Sequence, residues 1–165
     1  MKGQDLQYVL DWIAVQELVA EYGQAIDFGR DTGDWSRWVN VFTPQVTADY
    51  SLLFGGEPVT MAREQMAQVG GNALAAFTRV QHATANTVRT HFKSATEAQV
   101  MAYADVAHFF NLAGAQQEWT VVIRYTHDLE KSPTEGWRIR KVLLDPVHFR
   151  GNPLGLEMVK GKRLV

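Results

Sequence analysis

A chain of 165 residues, 46% hydrophobic and 21% charged, is long enough to bury one sizeable core and too short for two ordinary domains, so one domain over residues 1–165 is expected. A net charge of -2, with acids and bases interspersed, offers no basic stripe to a phosphate backbone, which excludes nucleic acid as an expected partner and favours a small, weakly charged ligand. With no cysteine, disulfides, thiolate metal sites and a cysteine nucleophile are excluded, and no stretch reaches the ~20 uncharged apolar residues of a membrane span.

From Met1 to Asp11 there is no continuous apolar segment, so no signal or transit peptide is expected and a cytoplasmic location follows by default. Leu6, Ile13 and Ala20 recur every seven residues from Asp5 to about Ile26, with Val9, Leu10, Leu18 and Tyr22 filling in, which predicts a long amphipathic helix with that side on the core. Phe28 to Asp34 is expected to be a loop that breaks it, Asp34 an N-cap, and Trp35, Trp38, Val39 and Phe42 the apolar stripe of a short second helix. Val46 to Phe54 reads as a strand ending at Gly55-Gly56. Thr60 is placed to cap a third helix from Met61 to about Val69 that ends at Gly70-Gly71. Four β-rich segments follow, Val80 to Phe92, Ala98 to Asn111, Trp119 to Leu129 and Trp137 to Phe149, separated by turn-forming residues. Helices first and long strands afterwards predict an α+β fold, with N-terminal helices packed on a strongly curved antiparallel sheet that forms a cone.

Asp27 falls seven residues after Ala20. If the helix persists that far, its carboxylate continues the core-facing stripe; if the helix has ended, Asp27 satisfies a loop amide near Gly29. His82 opens a strand face shared with Thr84, Asn86 and Val88, which is more polar than packing alone requires and suits a cavity wall. His108 shares its side with Ala102, Ala104, Val106 and Phe110, an apolar interior in which a histidine is either satisfied core or a pocket residue. Tyr125 has the same inward parity as Trp119, Val121 and Ile123. Surface positions are expected for His91 and His127. The histidines follow no short ligand spacing, and GxGxxG, GxxxxGK[ST] and GxSxG are all absent, so no metal and no cofactor are expected.

Taken in order, Tyr22 to Asp27 at a helix end, Gly-Asp-Trp35 opening the second helix, Ala-Asp-Tyr50, Val-Gln-His82 and Val-Ala-His108 resemble the scytalone dehydratase branch of the SnoaL-like, NTF2-like superfamily, over about Leu6 to Gly155. The resemblance implies a catalytic dyad of Asp27 and His82, in which the carboxylate orients and charges the imidazole. It also implies Tyr50 as a tyrosine that helps hold a water against a substrate carbonyl, and His108 as a second pocket histidine. The branch's other water-holding tyrosine falls at Ile26, and its serine and asparagine near Ile123 and Tyr125, so Ile26, Ile123, Tyr125, Asn86 and Phe110 are the expected substrate-binding residues. What it implies in function is a cofactor-independent lyase for a small hydroxylated aromatic or polycyclic compound, working by dehydration or by retro-aldol cleavage with aldehyde release. The resemblance further implies a homo-oligomer, a trimer formed through the outer face of the sheet. Two other readings remain: an isomerase or a non-catalytic ligand- or protein-binding module, and a hydrolase like the superfamily's epoxide hydrolases. The hydrolases use an Asp-Arg-Asp arrangement around a water, of which Arg124 and Asp105 are only pieces.

Overall fold

The long N-terminal helix α1 (Gly3–Thr32) does not bury the side its heptad pattern suggests. In the computed structural model, which describes residues 3–84 and 88–161 with side chains from residue 6 on, Val15, Leu18, Val19, Tyr22, Ala25 and Ile26 face the core. Leu6, Val9, Leu10 and Ile13 are 41–51% exposed. At about 3.6 residues per turn these four project opposite Val15, Leu18 and Tyr22, so this part of the helix is apolar on two faces and the heptad traced the outer one. The N-terminal half is tied down elsewhere: Tyr8 packs edge-on to Phe92, and the Asp11 carboxylate accepts from Lys131 Nζ at 2.6 Å and Trp137 Nε1 at 2.9 Å.

Phe28 to Thr32 is helix, not loop. Gly29 does not break it because a Cβ there would lie 2.5 Å from the Trp35 ring, so this glycine serves a close packing contact; the stop comes at Gly33, with φ of +80°. Asp34 Oδ1 accepts the Ser36 amide at the start of α2 (Ser36–Val39), where Trp38 is buried. The next segment divides into β1 (Phe42–Asp49) and a turn of helix, α3 (Ser51–Phe54), in place of one strand. β2 (Val59–Ala62) pairs antiparallel with β1. Thr60 bonds Thr47 across that pair at 2.8 Å and does not cap α4 (Arg63–Leu74), whose start is closed by Gln65 Oε1 accepting the Ala62 amide. The Gly70-Gly71 pair lies inside α4, where a Cβ on Gly70 would meet the rings of Trp35 and Trp38 at 2.7 and 2.8 Å.

The expected strand from Val80 to Phe92 is two pieces, β3 (Arg79–Thr84) and β4 (Arg89–Phe92), both paired to β5 (Glu97–Leu112). β6 (Ala115–Ser132) and β7 (Gly136–Gly151) complete the sheet, and α5 (Leu154–Val159) follows. The order is β2-β1-β7-β6-β5-β3, antiparallel throughout except that β1 and β7 run parallel, so the sheet is mixed rather than purely antiparallel. Even residues of β5 and odd residues of β6 from Trp119 to Leu129 face inward. There they join the core side of α1 in one apolar cluster, giving an α+β architecture.

Candidate active site

β3 ends the sheet, so half of its backbone amides point away from β5 and need partners elsewhere. The last turns of α1 lie against this edge. Gly23 allows the approach, because a Cβ there would stand 2.8 Å from His82 Cβ. One turn on, the Asp27 carboxylate closes two bonds to the same residue: Oδ2 accepts the His82 amide at 2.8 Å and Oδ1 meets His82 Nδ1 at 2.7 Å. The ionised carboxylate can only accept, so Nδ1 carries the proton and, in the neutral ring, Nε2 carries the lone pair. His82 is 5% exposed and Asp27 24% in their side chains, so the imidazole is enclosed while the carboxylate behind it reaches solvent.

His82 stands in the wall of a cavity of about 90 Å³. Among the described residues of that wall, the side chains with polar atoms are Tyr22, Tyr50, Tyr125, His82, His108 and the indoles Trp38 and Trp119; the others are apolar, including Ile26, Val121 and Ile123, with Leu53 and Phe54 from α3 and Val159 from α5. The His108 ring lies between Phe77 and Trp119, with centroids at 4.8 and 4.7 Å, and its Nδ1 is 3.1 Å from Val106 O. A carbonyl accepts, so this nitrogen donates and Nε2 is left as an acceptor. Burial, and next the nearby His82, pull the His108 pKa down to about 3, and the ring is neutral in the working range. Burial pushes the Tyr50 phenol up to about 12 and raises those of Tyr22 and Tyr125 as well, so all three remain O–H donors.

Of the residues expected from the sequence, His82, His108, Tyr50, Tyr125, Ile26 and Ile123 line this one cavity, and Asp27 supports it from behind. Phe110, also expected in substrate binding, is buried against Phe77 and does not line this cavity. Asn86 lies outside the described residues. Tyr22, expected only to pack, contributes a hydroxyl to the cavity, and its position on the core face just before Asp27 is the signal that marks it. His127, expected at the surface, is 1% exposed. It stacks on Tyr125 with no partner for Nδ1, as its shared parity with Tyr125 and Leu129 requires. Arg124 and Asp105 pair with Asp145 and Arg150 on the outer face, away from the cavity, so they cannot complete an Asp-Arg-Asp set in it. Among the described residues no three His, Asp or Glu side chains converge as a metal site, and no helix is long and apolar enough to cross a membrane.

Residues 7–142 match the family described as SnoaL-like domain. A search of curated proteins gave no match. Among solved structures, a protein of Kribbella flavida superposes with a TM-score of 0.78 at 22% identity, covering 91% of this chain and 99% of that one. A Novosphingobium aromaticivorans protein assigned as a scytalone dehydratase gives 0.69 at 15% identity, with 88% and 90% covered. A hexachlorocyclohexane dehydrochlorinase of Novosphingobium barchaimii gives 0.64 at 18% identity, with 94% and 97% covered. At these identities the likeness shows the fold alone, an α+β architecture.

Proposed function

The chain belongs to the SnoaL-like domain family, and from that premise we propose that it is a cofactor-independent lyase acting on a small hydroxylated aromatic or polycyclic compound by His–Asp acid–base catalysis. The observation that carries the reading is the Asp27–His82 pair, with the imidazole enclosed at a cavity wall and its Nδ1–H held by the carboxylate. In this mechanism His82 Nε2 takes a proton from a substrate carbon and becomes an imidazolium, which Asp27 stabilises. The departing hydroxide then takes that proton and leaves as water. For carbon–carbon cleavage the base takes a hydroxyl proton instead, an aldehyde leaves, and the imidazolium returns the proton to the carbanion.

Tyr50 donates to the oxygen on which charge develops. The neutral His108, whose Nδ1–H is committed to Val106 O, offers Nε2 to a substrate hydroxyl. The apolar wall of Ile26, Val121, Ile123 and Trp119 suits an aromatic ring. The same proposal includes a trimer formed through the outer face of the sheet, where Val122, Thr126 and Leu143 are partly exposed.

The test is incubation of the purified protein, without added metal or cofactor, with a panel of hydroxylated aromatic and polycyclic compounds, following water loss and aldehyde release by mass spectrometry. Turnover of at least one compound is expected. Binding of panel members with no bond broken would replace the lyase with a ligand-binding module.

A further inference from the structure

The outer stripe of α1 is left half open to solvent. Leu6, Val9, Leu10 and Ile13 are 41–51% exposed, and Trp12 beside them is 45% exposed. At about 3.6 residues per turn the four aliphatic side chains fall within an arc of about 100°, opposite the side on which Val15, Leu18 and Tyr22 enter the core. Their spacing of i, i+3, i+4 and i+7 is one heptad of a helix-pairing seam. The seam stops at the next repeat, where Gln16 is drawn back to Thr90 and Glu17 is exposed. Fully buried, an aliphatic side chain of this size removes on the order of 100 Å² of apolar surface from water and an aromatic one roughly 200 Å², so the five still present roughly 300 Å². Apolar atoms supply about 60% of a protein interface, so a contact centred on the stripe covers about 500 Å² per copy and about 1,000 Å² in all, the lower bound for a specific pairing.

Charge narrows the choice of occupant. From Leu6 to Gly29 the sequence has no lysine, arginine or histidine, whereas it has Asp11, Glu17, Glu21 and Asp27. A helix that lies on an anionic membrane carries Lys and Arg along its polar face, so such a surface is a poor match. The better match is another apolar stripe of the same length and little charge, and the chain itself supplies one. We propose that the outer stripe of α1 docks on the same stripe of a second copy, as an antiparallel pair about a two-fold axis. In this register Leu6 faces Ile13 of the second copy and Val9 faces its Leu10, so each aliphatic side chain meets another. A parallel pair sets the two Glu17 carboxylates side by side and aligns the helix dipoles; the antiparallel pair moves the carboxylates to opposite ends and opposes the dipoles. Because the stripe points away from its own core, the two bodies lie on opposite sides of the helix pair, and the outer face of the sheet is not used.

The test is sedimentation equilibrium of the full chain from about 5 μM to about 500 μM, since a contact at the lower bound of size is expected to fill on the order of 100 μM. Whatever species is present at the low end, its weight-average mass is expected to rise by at least about half at the high end. Leu10→Glu and Ile13→Glu, each at a position already half open, are expected to weaken this association about tenfold or more, with circular dichroism and thermal midpoint unchanged. Because the chain has no cysteine, single introduced ones report the register. Val9→Cys stands beside the two-fold axis and is expected to give a disulfide-linked dimer on oxidation. Ile13→Cys stands about 10 Å along the axis from its counterpart, beyond the roughly 7 Å that a disulfide spans between Cα atoms, and is expected to stay unlinked. A mass that stays constant across the range overturns the proposal, and so does equal disulfide formation at Ile13→Cys, the signature of a parallel pair. Binding to vesicles of phosphatidylcholine and phosphatidylglycerol that Leu10→Glu abolishes, with no rise in mass, overturns it in favour of a lipid surface.

Discussion

The Asp27 carboxylate does two things at once, and the pairing is the chemical reason for its position. One oxygen satisfies an edge-strand amide and the other fixes the tautomer of the ring on the same residue, so strand and imidazole cannot shift independently. The other two buried histidines differ from His82. His108 has a backbone acceptor, whereas His127 Nδ1 has no partner, and burial pulls the His127 pKa from the ordinary 6.5 down to about 4. Unfolded, this residue binds a proton from 6.5 downward. Folded, it stays neutral until about 4, so its contribution to stability is complete above 6.5 and is lost as the pH falls through that interval, by roughly 3 kcal/mol. His127→Phe, which keeps the stack on Tyr125, is expected to flatten the decline in urea-unfolding free energy between pH 7 and pH 4 by about that amount. An unchanged decline would show that His127 is not held neutral by burial.

At the scale of elements, glycine decides where helices can touch. Gly23 lets α1 approach β3 closely enough for the dyad to form, and its replacement by alanine sets a methyl 2.8 Å from His82 Cβ. Gly23→Ala is expected to cost about 1–3 kcal/mol of stability and to impair turnover through the displaced imidazole. Gly71→Ala, whose nearest neighbour would be Trp35 Nε1 at 3.7 Å, is instead expected to stabilise α4 by about 1 kcal/mol. Paired thermal melts check both signs. The same contacts explain what the sequence made legible. Strand parity located Trp119, Val121, Ile123 and Tyr125 on the inner face correctly, because alternation has only two outcomes. Helix phase did not resolve, because Leu6, Val9, Leu10 and Ile13 make an outer stripe as regular as the inner one. Gly29 and Gly70 read as stops because their packing partner, Trp35, is distant or unmarked in sequence. Asp27 and His82, 55 residues apart, were paired only through the order of motifs along the chain.

Across the whole molecule, the sheet order sets β3 at an edge under α1 while β5, β6 and β7 present an outer face crossed by the Arg124–Asp145 and Arg150–Asp105 pairs. The proposed trimer uses that outer face and leaves the cavity on the inner side unobstructed. Light scattering is expected to give three times the mass of the chain, and a monomer at micromolar concentration would contradict that part of the proposal. The central claim is that Asp27 and His82 work as one acid–base unit in the cavity. It is tested most directly by kcat/KM for Asp27→Asn, His82→Ala and the double variant on whichever panel compound wild type turns over. The account predicts a fall of about 10²–10⁴-fold in each single variant and little further loss in the double variant, with folding intact. Turnover within tenfold of wild type in either single variant would contradict it.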